Sequence, residues 1–456
     1  MVNMTLERIA ECCGGRYVGA EERKHTEVTG IAIDSRKVKK GGLFIPIRGE
    51  RVDGHSFIPA VMEAGALAFL SEQKKEYTQG PYILVDSTKE ALKKIAAFYR
   101  QSLDIKVVGI TGSVGKTSTK EMIASVLKEK YRVHKTAGNF NNEIGLPLTI
   151  FDITKEHEVA VLEMGISDFG EMHRLAEIAN PDICVITNIG LCHLENLGSR
   201  DGILKAKTEV FDHLRNQGIV ILNGDDDKLA GIREVNGKAP MRYGKNQGDA
   251  YAAHVKSLGM EGIRMMLSLQ GEGKIVTIPI PGEHNVYNAL AAACVGAACG
   301  MDMDAICRGI ESVETIRGRS NLIQKNGVTV IDDCYNANPV SMRASIDVLS
   351  QAPGRKIAVL GDMGELGEAE RSLHAEIGRY AAMKQIDFLY CTGELSKEMI
   401  QAAEDEETNR TYAAHFESKA DLIDHLRLVM QKGDTLLVKA SHFMEFSKIV
   451  EALTIV

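Results

Sequence analysis

Four apolar runs punctuate the middle of this sequence: IKVVGIT (105–111), VAVLEMG (159–165), ICVITNI (183–189) and GIVILNG (218–224). Helical patterns separate them. Near-continuous apolar strands alternating with helices are the signature of βαβ units, in which a parallel sheet is covered on both faces. The alternation restarts after GRS (318–320) with VTVIDD (328–333), KIAVLGD (356–362), DFLYCTG (387–393) and DTLLVKAS (434–441). Before residue 100 the strand-like runs are shorter (TGIAID, GLFIPI, ALAFL) and broken by charged turns. Between 251 and 280, IRMMLSL and KIVTIPI shift to period-2 alternation, which predicts an added β-hairpin. A chain of 456 residues is too long for one core. The expectation is therefore an α/β protein of three domains. A small α/β domain spans 1–100, a central parallel sheet with the added hairpin region spans 101–317, and a Rossmann-like α/β domain spans 318–456.

The stretch GITGSVGKTST (109–119) sits where the first of these strands turns into a helix. It departs from G-x-x-x-x-G-K-[ST], because the place of the first glycine falls on Ile110. The cradle Gly112, Ser113, Val114, Gly115, Lys116, Thr117, Ser118 is nevertheless whole. Backbone N–H groups and a helix N-terminus there favour an anion. Lys116 supplies charge for β/γ-phosphates, and the Thr117 hydroxyl suits Mg2+. Neither N-K-x-D nor G-x-G-x-x-G is present, so ATP is expected by elimination. The helix is predicted to bury Met122, Ile123, Val126 and Leu127.

Downstream, Glu163 ends a buried strand, where a carboxylate is suited to Mg2+. His193, just past the next strand, is a candidate metal or phosphate contact. In DGILKAKTEVFDHL, Ile203, Lys207, Val210, Phe211 and Leu214 share one stripe if the segment is helical. A lysine there must snorkel, pair or change its charge state, and spacing alone favours snorkelling. Lys205 faces elsewhere. Asn285 and Asn288 fall three apart near a helix start, although capping also explains Asn285. Arg317 and Arg319 are candidates for a phosphate fork. IDDCYNANP (331–339) and GDMGELG (361–367) are polar turns after strands.

A formal net charge of −8 argues against a general nucleic-acid binder. The nine cysteines are odd in number and lack C-x-x-C spacing, which points to free thiols in a reducing compartment. The N-terminus has no signal layout, and the run 289–301 is too short to span a bilayer. The expected location is the cytoplasm.

Taken jointly, these strings resemble the Mur ligase family. They comprise G-x-x-G-K-T-S, the strand-end Glu163, N-I-G…H-L-E…A-K-T-E-V-F, G-x-H-N-x-x-N-x-x-A-A and the Gly-Arg before the third domain. GNFNNEIGLP (138–147), IDDCYNANP and VLGDMGELG are most similar to the member that joins D-Ala-D-Ala to UDP-MurNAc-tripeptide. DSRKVKKGGLFIPIRGERVDGHSFI (34–58) is similar to the family's uridine-nucleotide-binding segment. The resemblance covers essentially the whole chain. It implies an ATP- and Mg2+-dependent, ADP-forming peptide ligase of peptidoglycan precursor synthesis, acting through an acyl phosphate, and a monomer. By position, it implies catalytic roles for Lys116, Glu163, His193 and Lys207, the last carbamylated as in related ligases. It implies metal contacts at Thr117, Glu163 and His193. Nucleotide contacts are implied at Asn285 and Asn288 on the adenine side and at Arg319 and Asp333, and substrate contacts at Ser35, Arg36 and Asn142. The alternatives are the tripeptide-forming Mur enzyme, folylpolyglutamate synthetase, or a non-catalytic ATP-binding regulator.

Overall fold

The computed structural model describes residues 1, 3–74, 77, 80–407 and 410–454. They form two compact units. Met1–Thr111, Lys130–Val185 and Lys207–Val220 make the first; Gly112–Glu129, Ile186–Ala206 and Ile221–Val456 make the second. The segments 1–100 and 318–456 each fall within one unit, and the segment 101–317 is shared between the two.

In the first unit, strands β1 (Arg16–Val18), β2 (Ile31–Ala32), β3 (Leu43–Phe44), β4 (Ala68–Ser71) and β5 (Tyr82–Leu84) form a sheet ordered β1-β5-β4-β3-β2. All neighbours are parallel except β1 and β5. The helix Thr88–Gln101 starts at Ser87, whose hydroxyl accepts from the Glu90 amide. It packs on the helices Leu6–Cys13, Gly145–Phe151 and Glu171–Ala179. Its Arg100 has no exposure, and its guanidinium donates to the carbonyls of Ala179 (2.9 Å) and Asn180 (3.2 Å) and to Asp182. Burial, reinforced by Arg215 and opposed by Asp182, pulls Arg100 down to about 10. Beside this helix lie β6 (Lys106–Thr111), β7 (Val133–Lys135) and β8 (Val159–Glu163). Both β6 and β7 pair parallel to β8, with Ile110 opposite Glu163. Every residue of β8 is buried, as its unbroken apolar run requires. A further buried strand, β9, spans Ile183–Ile186.

In the second unit, β10 (Ile219–Asn223, paired from Ile221) runs parallel to β11 (Met241–Gly244), which runs parallel to β12 (Ala250–Ser257). Strands β13 (Ile263–Leu269) and β14 (Glu272–Ile278) complete an antiparallel meander with β12. The expected hairpin is thus the last part of a three-stranded meander. Its turn, Gln270-Gly271, has positive φ at both residues (52° and 90°), the geometry that matches strand twist in two-residue hairpins. Along β13, buried residues alternate with partly or fully exposed ones, the period-2 pattern read from the sequence. The helix Lys116–Lys128 packs against the helices His284–Ala298 and Met303–Glu311. Met122, Ile123, Val126 and Leu127 are buried as expected.

The C-terminal part carries β15 (Asn321–Lys325), β16 (Val328–Asp332), β17 (Lys356–Gly361), β18 (Phe388–Thr392), β19 (Tyr412–Phe416) and β20 (Thr435–Lys439), ordered β15-β16-β20-β17-β18-β19. All its pairs are parallel except β15–β16. One core cluster gathers Met342, Ile346, Leu360, Ile377 and Leu389; another gathers Val330, Val359, Leu422, Leu436 and Phe446. All nine cysteines are free thiols. Among the described residues, no helix is long and apolar enough to cross a membrane.

Candidate active site

Gly112 has φ +147°, and a Cβ there would lie 2.0 Å from Thr187 Oγ1, so the loop entrance admits no side chain. Gly115 (φ +83°) is the N-cap of the helix Lys116–Lys128. Between them the loop is stitched to the residues that follow β9. The Val114 amide donates to Asn188 Oδ1 (3.0 Å), while Asn188 Nδ2 and Thr187 Oγ1 donate to the Val114 carbonyl (2.9 and 2.7 Å). The Ser113 hydroxyl accepts from the Gly190 amide (2.9 Å). Lys116 Nζ donates to the Gly112 carbonyl (2.8 Å), so the ammonium lies over the loop, where a phosphate would be met. An entrance closed to a Cβ at Gly112, a helix N-terminus and a lysine folded over the loop suit a nucleotide phosphate. The shortened entrance therefore leaves the working loop intact.

Arg319 Nη2 donates to Thr117 Oγ1 (3.4 Å), and its guanidinium carbon lies 4.1 Å from the Tyr335 ring centroid. Arg317 instead pairs with Glu451 (2.5 Å), so the expected two-arginine fork does not form; one arginine serves the loop and the other a surface helix. A small pocket beside the loop is lined in part by Ser118, Glu121, His284, Asn285, Thr315 and Arg319. Asn285 does not cap its helix, because Glu283 holds that position; its amide donates to the Pro281 carbonyl (2.9 Å). Asn288 Nδ2 donates to Asn285 Oδ1 (2.9 Å), and Asn288 Oδ1 accepts from Thr119 (2.8 Å). The two amides thus orient each other. Burial holds the His284 imidazole below its usual range, against the opposing pull of Asp333.

Asp333 is buried and accepts from the Ser320 amide (3.0 Å), Ser345 Oγ (2.6 Å) and Lys439 Nζ (2.6 Å). Burial pushes its carboxyl up, but Lys439, Ser345 and Arg319 outweigh that and leave it below the usual range. His193, in a left-handed conformation (φ 51°), pairs through Nδ1 with Glu365 Oε2 at 2.7 Å. That hydrogen bond holds Glu365 below the usual carboxyl range despite partial burial.

In the first unit, Glu163 is buried, and its Oε1 accepts from Asn141 Nδ2 (2.9 Å). Lys207 lies in the helix Arg200–Thr208, which gives way to a 3-10 turn at Glu209–His213. Ile203, Val210 and Leu214 are buried as expected, and Lys205 is exposed. Lys207 has no exposed surface, so it does not snorkel; Phe211, further along the stripe, is half-buried. No group of three or more His, Cys, Asp and Glu side chains converges on one point among the described residues.

A separate cavity of about 1120 Å³ in the first unit has Ile31, Leu43, Phe140 and Leu148 among its apolar lining, with Asp34, Lys37, Lys39, Asn142 and Lys155 among its polar lining. Asn142 is where the sequence put a substrate contact, and its Oδ1 also accepts from the Gly145 amide (2.9 Å). Ser35 and Arg36 flank this cavity in sequence without lining it; Arg36 turns back to pair with Asp34 (2.8 Å). The sequence reading passed over Lys439, Glu365 and Asn188 as individual residues. Lys439 carried a usable signal, since it ends a fully buried strand just as Glu163 does.

Three family models match the chain. They are the Mur ligase family catalytic domain over 27–100, the Mur ligase middle domain over 110–296 and the Mur ligase glutamate ligase domain over 318–442. The UDP-N-acetylmuramoyl-tripeptide--D-alanyl-D-alanine ligase of Bacillus subtilis (strain 168) is 39% identical over 458 residues, covering 99% of each chain. A crystal structure of MurF from Acinetobacter baumannii superposes with a TM-score of 0.90 at 32% identity, covering 99% of each chain. The MurF ligase from Thermotoga maritima in complex with ADP gives 0.83 at 31% identity, covering 93% of this chain and 97% of that one.

Proposed function

This chain belongs to the Mur ligase family, and on that premise we propose that it joins D-Ala-D-Ala to the C-terminal carboxylate of UDP-MurNAc-tripeptide. The enzyme is an ATP- and Mg2+-dependent, ADP-forming ligase of three-domain α/β architecture. One observation carries the assignment to the geometry: the phosphate loop meets Arg319 at Thr117, on a chain that matches named D-Ala-D-Ala-adding ligases end to end.

When bound, ATP supplies the phosphoryl group that activates the peptide carboxylate as an acyl phosphate for attack by the dipeptide amine. The residues bind and align rather than act as nucleophiles. The loop places a phosphate at the helix N-terminus that opens at Gly115, and Lys116 exchanges the Gly112 carbonyl for phosphate oxygens. Arg319 neutralises charge from above Thr117. Thr117 offers an oxygen donor of the kind Mg2+ takes, and Glu163 and His193 are each assigned as metal contacts on the family resemblance. We assign Lys207 a carbamate on the family resemblance, which would replace its ammonium with an anionic group at a fully buried position. Asn142 and the cavity it lines take the uridine-nucleotide end of the substrate; Ser35 and Arg36 shape the segment beside it. Asn285 supports the adenine side, with Asn288 fixing its amide. We place the domains at 1–100, 101–317 and 318–456, and the monomeric enzyme in the cytoplasm, in keeping with its free thiols.

Phosphate release from ATP is expected only with both UDP-MurNAc-tripeptide and D-Ala-D-Ala present. Equal release with either omitted would sink the ligase assignment, leaving an ATP-binding regulator or a different acceptor. For Lys207, activity should be lost in Lys207→Ala and partly restored by short carboxylates; full activity of the variant would end the carbamate proposal.

A further inference from the structure

Lys439 ends β20 with 2% exposure, at the carboxyl edge of the C-terminal sheet. An ammonium has three donors. Here all fall on one turn: Asp333 Oδ2 at 2.6 Å, the Asp333 carbonyl at 3.3 Å and the Asn336 carbonyl at 3.1 Å. Asp333 in turn accepts from the Ser320 amide, next to Arg319. Ser320 sits at φ +48°, a left-handed conformation that a serine holds only when its surroundings impose it. The same two segments are joined again where the Gly318 amide donates to Asp332 (2.8 Å) and the Tyr335 amide donates to the Gly318 carbonyl (3.1 Å). Between these ties Arg319 lies against the Tyr335 ring and reaches Thr117.

A buried ion pair is a weak source of stability, since desolvation cancels much of its attraction; its best-attested use is to fix one arrangement. The arrangement fixed here is the turn that carries Arg319. Asp333 is 8% exposed and already holds Ser320, Ser345 and Lys439, so its route to a nucleotide is through Arg319. We propose that Lys439 is a positioning residue, a buried clasp that holds Asp333 and thereby sets Arg319 over the phosphate loop. This rests on the ATP-binding assignment of that loop.

The test uses the full-length protein and reads ADP affinity by equilibrium titration, kcat and KM for ATP, and melting temperature. Lys439→Met alone would strand a buried carboxylate, so the deciding variant is K439M/D333N, which removes both charges together. It should melt near the wild type, bind ADP about tenfold more weakly and raise KM for ATP similarly. Adding R319A should then cost little more, although R319A alone costs about as much as the clasp. Wild-type ADP affinity in the folded double variant overturns the inference, as does an equal R319A penalty in both backgrounds. Should the double variant not fold, Lys439→Arg decides. Its planar fork cannot reproduce three converging bonds, so ADP affinity should fall several-fold in the folded variant. A K439R protein that binds ADP like the wild type overturns the inference. Failure of the wild type itself to bind ADP overturns the nucleotide assignment and this inference with it.

Discussion

A methyl group at Gly112 would meet Thr187 Oγ1 at 2.0 Å, on a backbone at φ +147° that L-residues avoid. Gly112→Ala should therefore distort the loop, costing about 2 kcal/mol of stability and most of the ADP affinity. Melting and ADP titration together check this; unchanged binding would mean the loop is not the nucleotide site. Lys116→Met should cut turnover by at least about a hundredfold with little change in melting, because Lys116 bonds only loop carbonyls in the ligand-free fold. Asp333 gives a pH signature. Its folded carboxyl lies below the ordinary 3.8, so its stabilising effect is present above that value and lost as pH falls through the folded one. The gap in melting temperature between wild type and D333N should be widest near neutrality and shrink as pH falls below about 4. At this scale, a polar residue buried at the end of an apolar run was passed over at Lys439 but legible at Glu163. The partners were not: nothing in the spacing pairs His193 with Glu365, or Lys439 with Asp333, because those pairs join segments far apart in sequence.

The helix Lys116–Lys128 transmits packing to the loop at its N-terminus. Gly309, in the helix Met303–Glu311, lies so close that a Cβ would come within 2.3 Å of Val126 Cα. Gly309→Ala should push the two helices apart, costing about 2–3 kcal/mol and weakening ADP binding through the displaced loop. An alanine variant with wild-type melting would refute that contact. Elements with one strong period were read correctly: the buried strands, this helix and the alternating β13. The short strands β1, β5, β7 and β11 were missed, since three or four residues carry too little pattern, and the longer β12, β15 and β19 were missed as well. The stripe through Lys207 was read as one helix. The helix ends at Thr208, yet the 3-10 turn after it keeps Val210 and Leu214 on the buried side.

For the molecule as a whole, alternation and restart pointed to a multidomain α/β chain, and the joint motif pattern pointed to the family that the matching models show. The size of the apolar-lined cavity in the first unit was not legible, because it is made by segments near residues 30, 140 and 150 that meet only in the fold. The central claim is that one chain uses ATP to join two specific substrates. Mass spectrometry of a complete reaction tests it most directly. UDP-MurNAc-tripeptide should gain the mass of one D-Ala-D-Ala less water, one ADP forming per product, and no product should appear when ATP or dipeptide is omitted. ADP formation with the tripeptide mass unchanged would contradict the account.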